Sequence, residues 1–436
     1  MPNFARFSSV TVPLGLPADL PGWLTYIEAL HPKSIAMGLD RVDEVRQRLN
    51  LYPTFPLITV AGTNGKGSTC AMLERIYHEA GYRVGSYSSP HLLRYNERVR
   101  ISCQEISDNE LCSAFAAVET ARQSTLLTYF EFGTLAAMCH FMQAGLDLAI
   151  LEVGLGGRLD AVNIFDPDCT IVTSIDLDHM DFLGSSRESI GYEKAGIFRQ
   201  GIAAICGDPD PPASLLRHAA ETGADLSQIQ QDFSFTTATD GTWAYVAGDT
   251  KIAQLPIPAL RGAFQLYNAA CVVTAVRVLQ ARLPISTDQI AAGLHNVSLA
   301  GRFQVCRQNP QVILDVAHNP HASDALAENL KQQPCKGRTF AVFAMLSDKD
   351  ITGVINALQE EIDIWYVAGI EHPRGASADQ LVELIHHQVP DNQLHKYPNV
   401  TSAFAQACID AGENDRIVVF GSFFTVADIM RVLQAT

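Results

Sequence analysis

Positive charge is scarce in this chain of 436 residues: 31 Lys and Arg stand against 47 Asp and Glu, a formal net charge of −16. Nucleic-acid binding needs clustered cations to neutralise phosphates, so no nucleic-acid partner is expected. Charge of either sign is sparse at 18% of residues while 47% are hydrophobic, a balance that suits a packed enzyme and not a disordered chain. No apolar run approaches the ~20 residues that cross a bilayer, and Met1–Pro21 has no basic flank followed by an unbroken apolar core, so neither a membrane span nor a leader is expected. The cysteines, among them Cys70, Cys103, Cys139, Cys206 and Cys335, form no C-x-x-C pair, which argues against zinc and thioredoxin-like motifs. A chain of this size needs no disulfide staples, so thiols in a reducing, cytoplasmic setting are expected. Repeats, low-complexity tracts and coiled-coil patterns are missing too, which leaves a monomer as the expectation. An anionic small substrate stays open, since a few local cations and helix N-termini suffice to hold one.

What is present is alternation. Two long regions switch between strand-like and helix-like patterns, the mark of α/β layering with a largely parallel sheet. In the first, Leu57–Ala61, Arg83–Tyr87, Asp147–Val153 and Cys169–Ile175 read as strands. Lys66–Ala80, Phe264–Arg282 and Thr287–Asn296 read as helices, the first stopped by Gly81. Asp232–Thr236 and Thr242–Val246 suggest small antiparallel strands at the edge of this domain. Beyond Gly301, Val312–Val316, Thr339–Met345, Ile362–Ala368 and Arg416–Phe420 read as strands, each followed by a helical stretch. The boundary falls in Val297–Arg302, giving domains 1–298 and 299–436.

One segment carries chemistry on its face: Gly62-Thr63-Asn64-Gly65-Lys66-Gly67-Ser68-Thr69, between an apolar strand and a helix. Glycines let backbone N–H groups turn toward phosphate oxygens, and the helix N-terminus adds a favourable dipole. Lys66 supplies a mobile charge for the β- and γ-phosphates, and Ser68 or Thr69 a hydroxyl. The fit to G-x-x-x-x-G-K-[ST] is not literal, because only three residues separate Gly62 from Lys66 and Gly67 precedes the hydroxyl. The bland alternative is a tight turn that happens to hold a lysine.

ATP brings Mg²⁺, which takes one or two carboxylates with water and phosphate completing its shell. Glu152 ends an apolar strand, where an acid is costly to bury unless paired or metal-bound; its alternative is a salt bridge, for instance to Arg158. Asp178-His179 follows another strand in the same topological position, and Ser88-Ser89-Pro90-His91 a third. Each has a structural alternative, a buried histidine or a helix cap.

Together these segments resemble the folylpolyglutamate synthase/dihydrofolate synthase family, within the Mur-type ATP-dependent amide ligases. The resemblance spans nearly the whole chain: His31–Leu39, the phosphate loop, Ser88–Leu92, Leu127–Glu131, Leu151–Ala161, Asp178-His179, Glu193–Ile197, Gly301–Phe303, Asp315–Pro320 and Gly421–Phe423. It implies a P-loop-type Mur ligase central domain with a mostly parallel sheet, plus a smaller Rossmann-like α/β domain. It also implies ATP and two Mg²⁺ ions, with dihydropteroate, reduced folates and L-glutamate as substrates. Carried over by position, Thr63, Asn64, Gly65, Lys66, Gly67 and Ser68 would contact ATP phosphates. Asn268, Arg302 and Asp315 would contact the nucleotide, and Ser89, Glu152 and His179 the metal. Ile35, Ala36, Met37, Gly38, Thr128, Tyr129, Phe130, Glu131, Leu159, Asp160 and Ala161 would line the pterin pocket. Lys194 matches a lysine that relatives carry as a carbamate; CO₂ adds only to a neutral amine, so its pKa would have to be depressed. His318 and Ser422 would meet the incoming glutamate, and Lys66, Lys194 and His318 would be catalytic. Phe264 stands where many relatives place histidine, a departure at the adenine side.

The implied reaction is an ADP-forming ligation through an acyl phosphate, with closure about Val297–Arg302 excluding water. Both synthase activities are expected. A folylpolyglutamate synthase alone and a cell-wall ligase of the same group are the nearer rivals. A non-catalytic ATP-gated protein is the distant one.

Overall fold

The computed structural model describes residues 15–33, 35–262, 264–386 and 393–435; Ser34 of the motifs above, and most of the stretch read for a leader, lie outside them. The chain forms two units. The first reaches Pro90 and continues over Tyr95–Ile257 and Tyr267–Val297. The second gathers Ser298 onward together with two short excursions, His91–Arg94 and Pro258–Leu266, which the sequence pattern had left in the first.

Unit 1 is built on β1 (Leu57–Ala61), β2 (Val84–Tyr87), β3 (Val99–Ile101), β4 (Gln104–Glu105), β5 (Leu148–Glu152), β6 (Cys169–Val172), β7 (Ala203–Cys206) and β8 (Asp225–Gln228). They form one sheet in the order β4-β3-β2-β5-β1-β6-β7-β8. Pairing is parallel from β2 to β8, and antiparallel where β3 and β4 close one edge. The central strands are buried along their whole length, as expected when helices cover both faces of a parallel sheet. Register brings Val60 beside Glu152 and Tyr87 beside Leu151, so the loops leaving β1, β2, β5 and β6 emerge at one sheet end. That crevice at the carboxyl ends is where open α/β sheets bind ligands.

The strand expected to reach Ile175 ends at Val172, because Thr173, Ser174 and Asp176 spend polar groups on the phosphate loop. The helix Lys66–Glu79 stops as expected: Gly81, at φ +87°, donates to His78 O at 2.9 Å and Tyr82 to Tyr77 O at 3.0 Å. Helix Phe264–Val278 is shorter than the expected span to Arg282. The small strands do not extend the large sheet. β9 (Ser234–Thr237), β10 (Thr242–Ala247) and β11 (Thr250–Pro256) make a separate antiparallel sheet, fastened to helix Phe264–Val278 by Tyr245 Oη and Thr274 Oγ1 at 3.0 Å.

Unit 2 carries β12 (Gln304–Gln308), β13 (Gln311–Leu314), β14 (Thr339–Phe343), β15 (Ile364–Ala368), β16 (Leu394–Tyr397) and β17 (Arg416–Phe420), in the order β12-β13-β17-β14-β15-β16. All pairs but β12–β13 are parallel. Apolar clusters fill both faces, Trp365 and Phe420 on one and Phe340 and Tyr366 on the other.

Candidate active site

The phosphate loop is held from beneath by the turn after β6. Thr63 N donates to Ser174 O at 2.7 Å, Thr173 Oγ1 to Asn64 O at 2.6 Å, and Asn64 N to Ser174 Oγ at 3.2 Å. Gly62 and Gly65 have positive φ, +150° and +85°. A Cβ on Gly62 would sit 1.9 Å from Thr173 Oγ1, and one on Gly65 2.5 Å from Asn268 Oδ1, so both positions need glycine for space and conformation alike. Lys66 Nζ donates to Gly62 O at 2.8 Å and Thr63 O at 3.1 Å, which keeps the ammonium over the loop. The helix begins at Lys66, so its first-turn amides open onto the same space. Thr63, expected on phosphate, turns its hydroxyl inward instead, donating to Asp176 O and accepting from Asp176 N, each at 3.0 Å.

Glu152 is buried at 4% exposure at the end of β5, one strand from the loop, and accepts from Ser89 N at 3.2 Å. The alternative pairing with Arg158 is not made; Arg158 reaches Glu193 Oε1 at 2.8 Å. His179, in the left-handed region at φ +52°, lies 3.8 Å from Asp178 Oδ2. Among the described residues no group of three or more His, Cys, Asp or Glu could hold a metal. The Glu152 carboxylate and the Ser89 hydroxyl nonetheless suit Mg²⁺, a hard cation that takes oxygen ligands and leaves much of its shell to water and phosphate oxygens, with the His179 imidazole a softer donor beside them.

Lys194 is 4% exposed near the end of helix Arg187–Ala195. Burial pushes its pKa down to about 7, with the charge of Lys66 adding to the shift and Asp178 and Asp160 opposing it. Asp160 is pushed the other way, to about 7, by burial; hydrogen bonds from Leu155 N (2.8 Å) and Val162 N (3.1 Å) and the charge of Lys66 pull against that. The loop between Glu152 and Asp160 packs on the Lys194 helix: Arg158 N donates to Glu193 O at 2.8 Å, and a Cβ on Gly157 would meet the carbonyls of Glu193 and Lys194.

Beside this loop, Thr128 and Glu131 form a capping box at the start of helix Tyr129–Gln143. The Phe130 ring lies over Gly154, where any Cβ would come within 2.7–3.1 Å of it, and 5.8 Å from the Tyr87 ring. Tyr129 meets Tyr95 edge-on at 5.7 Å, with the Arg98 guanidinium 5.6 Å from its ring. Leu159 is half-buried and Ala161 buried next to Asp160. Arg41, not singled out in the sequence, joins this wall to the loop Ile35-Ala36-Met37-Gly38: it donates to Ala36 O and pairs with Glu131 at 2.9 and 3.0 Å. Glu131 is therefore a brace at this wall, its carboxylate also accepting from Thr128 N at 2.7 Å.

In unit 2, Asp315 accepts from Phe303 N and Ala317 N, both at 2.8 Å, while burial raises its pKa against the pull of Arg302. The Arg302 guanidinium lies 5.3 Å from the Phe423 ring, and His318 meets the same ring at 5.9 Å. His318 Nδ1 is 2.8 Å from Val316 O, and a carbonyl oxygen only accepts, so this contact assigns a proton to Nδ1. Ser422 is buried and accepts from Phe424 N at 3.2 Å. Phe264 is 42% exposed and edge-on to His321 at 5.1 Å.

The Mur ligase middle domain matches residues 60–276, and the Mur ligase glutamate ligase domain residues 301–423. The dihydrofolate synthase/folylpolyglutamate synthase of Escherichia coli is 46% identical over 419 residues, 96% of either chain. The chain belongs to the dihydrofolate synthase/folylpolyglutamate synthase family. The Haemophilus influenzae member is 41% identical over 436 residues, covering 96% of this chain and 98% of its own. The E. coli FolC structure in complex with DHPP and ADP superposes with a TM-score of 0.91 at 46% identity, over 96% of this chain and 98% of that one. A bifunctional family member with Mn, AMPPNP and L-glutamate bound gives 0.89 at 48% identity, again over 96% and 98%. Members of this family are ATP-dependent, ADP-forming amide ligases. No described helix is long and apolar enough to cross a membrane.

Proposed function

We infer that the chain is a bifunctional dihydrofolate synthase/folylpolyglutamate synthase, joining L-glutamate to dihydropteroate and to folate (poly)glutamates at the expense of ATP. The carrying observation is the register of β1 with β5: it sets the phosphate loop one strand from Glu152 and next to the aromatic wall of Phe130 over Gly154. A carboxylate resting on that wall is presented to a γ-phosphate in the loop.

The carboxylate oxygen attacks the γ-phosphorus and ADP leaves. The glutamate amine then attacks the acyl carbon, the amine proton is lost, and inorganic phosphate departs as the amide forms. Lys66 and the first-turn amides offset charge on the transferring phosphoryl group. Ser89, Glu152 and His179 would hold Mg²⁺, which when bound supplies positive charge to phosphate oxygens. Lys194, held largely able to shed its proton, is suited to carry a carbamate, an added anionic oxygen ligand for a second ion. We assign Arg302, Asp315 and Asn268 to the nucleotide and His318 and Ser422 to glutamate. We place the domain boundary between residues 298 and 299, one residue past Val297, where the first unit ends, and in the gap between the two family matches. Ten free cysteines fit a reducing cytoplasm, and the chain is proposed to act as a monomer.

ADP formation with dihydropteroate plus glutamate, and separately with a reduced folate monoglutamate, tests the proposal. Both acceptors should support turnover. Turnover with the folate alone would reduce the enzyme to folylpolyglutamate synthase, and turnover with neither would remove the folate reading.

A further inference from the structure

Between β6 and His179 two consecutive residues have every backbone polar group held by a side chain. Ile175 N donates to Asp208 Oδ2 at 2.7 Å, and Ile175 O accepts from Arg187 Nε at 2.9 Å. Asp176 N and O are both taken by the Thr63 hydroxyl of the phosphate loop. Arg187 and Asp208 are themselves joined, its terminal nitrogen reaching both carboxylate oxygens at 3.2 Å. Asp208 is 4% exposed and also accepts from Asp210 N at 2.9 Å; Arg187 also reaches Asp210 Oδ2 at 3.3 Å and Asp210 O at 2.8 Å.

A buried carboxylate bound to guanidinium is a poor device for stability alone, since desolvation offsets most of the attraction. It is a good device for fixing direction, because the planar fork and the carboxylate hold the N–H and the C=O of one residue, in two successive peptide groups. The grip comes from two elements: the N-terminus of the helix that carries Lys194, and the turn after β7. What it holds is the start of the five-residue path from Ile175 to His179, with the phosphate loop bonded to the next residue along.

We propose that Arg187 and Asp208 are positioning residues that lock Ile175–His179 against the phosphate loop and so preorganise the metal–nucleotide site. The proposal rests on the assignment of His179 and the loop given above. It is a role through other groups; neither side chain is placed on substrate.

The test is calorimetric titration of Mn²⁺ into the full-length protein saturated with AMPPNP, with the KM for glutamate measured alongside. Arg187→Met and Asp208→Asn should each weaken Mn²⁺ binding by ~10-fold or more, the range seen when partners that orient metal ligands are removed. The KM for glutamate should not change, and the double variant should be little worse than either single one, since each breaks the same grip. Arg187→Lys keeps the charge but cannot span both the Ile175 carbonyl and the carboxylate, so it should restore the fold fully and Mn²⁺ binding only in part. If Arg187→Met does not fold, Arg187→Lys and Asp208→Asn carry the same expectation. Wild-type Mn²⁺ affinity in these variants, or an equal loss in the glutamate KM, overturns the proposal. His179→Ala separates the two layers. If it binds Mn²⁺ as wild type does, the metal assignment itself fails; if it weakens binding while the Arg187 and Asp208 variants do not, only the positioning role fails.

Discussion

Lys194 ties local burial to chemistry. With its pKa pushed down to about 7, close to half of the amine is neutral at pH 7, against a negligible share for an exposed lysine. The same shift has a sign in stability. Below about pH 7 both states hold the proton, and folding bears the full cost of burying an ammonium. Between about 7 and 10.5 the unfolded chain keeps a proton that the folded chain has shed, so this group's contribution to stability rises with pH across that window. Urea unfolding of Lys194→Met from pH 7 to 10 should show that part of the slope removed; a slope equal to wild type would contradict the burial argument. On the pterin side, Gly154→Ala places a methyl against the Phe130 ring. We expect the KM for the pterin acceptor to rise about tenfold, or ~1.4 kcal/mol, with the KM for ATP unchanged; equal effects on both would make the glycine a general packing residue. The loop glycines, Lys66 and Glu152 were legible in sequence because each breaks a local rule, three glycines with one cation or an acid in an apolar strand. Arg187, Asp208 and Arg41 break none. Their partners are distant in sequence, and nothing in Ser186–Glu188 or Gly207–Pro209 marks them.

At the scale of elements, helix starts were the most readable feature. The expected starts at Lys66, Phe264 and Thr287 are the observed ones, and Ser286 with Gln289 forms a reciprocal cap at the last. Strand β1 matched its apolar run to the residue because it is central and buried on both faces. Strand ends were less legible: nothing in Thr173-Ser174-Ile175 forbids extended backbone, and the phosphate loop's hydrogen-bond demand turns the segment away. Helix contact was invisible. Gly293 of helix Thr287–Asn296 lies so close to helix Lys66–Glu79 that a Cβ would sit 2.5 Å from Ile76 Cα. Backbone cannot rotate aside, so Gly293→Ala should force the helices apart and cost about 1–3 kcal/mol, measured by chemical denaturation. A change near zero would mean that the close approach is not needed for stability.

Across the whole molecule, two sheets with separate apolar clusters predict unfolding that is not two-state. Calorimetry should resolve two components, and Gly293→Ala should lower only the one belonging to unit 1; a single transition shifted as a whole would show the units unfold together. The net charge of −16 and the lack of long apolar runs had already excluded nucleic-acid and membrane roles as expectations, and motif order along the chain pointed to the ligase family. Those features are local or additive: charge sums, hydrophobic period and loop spacing need no knowledge of what lies across the sheet. The tertiary structure alone decided that Glu152 stands one strand from the phosphate loop, that Lys194 is stripped of water, and that Thr63 serves Asp176. It also decided that Arg187 and Asp208 grip a single residue, Ile175, from two elements. Each depends on which strands are neighbours and in what register, and a one-dimensional pattern does not carry that information, because pairing free energy is realised only when distant segments are brought together.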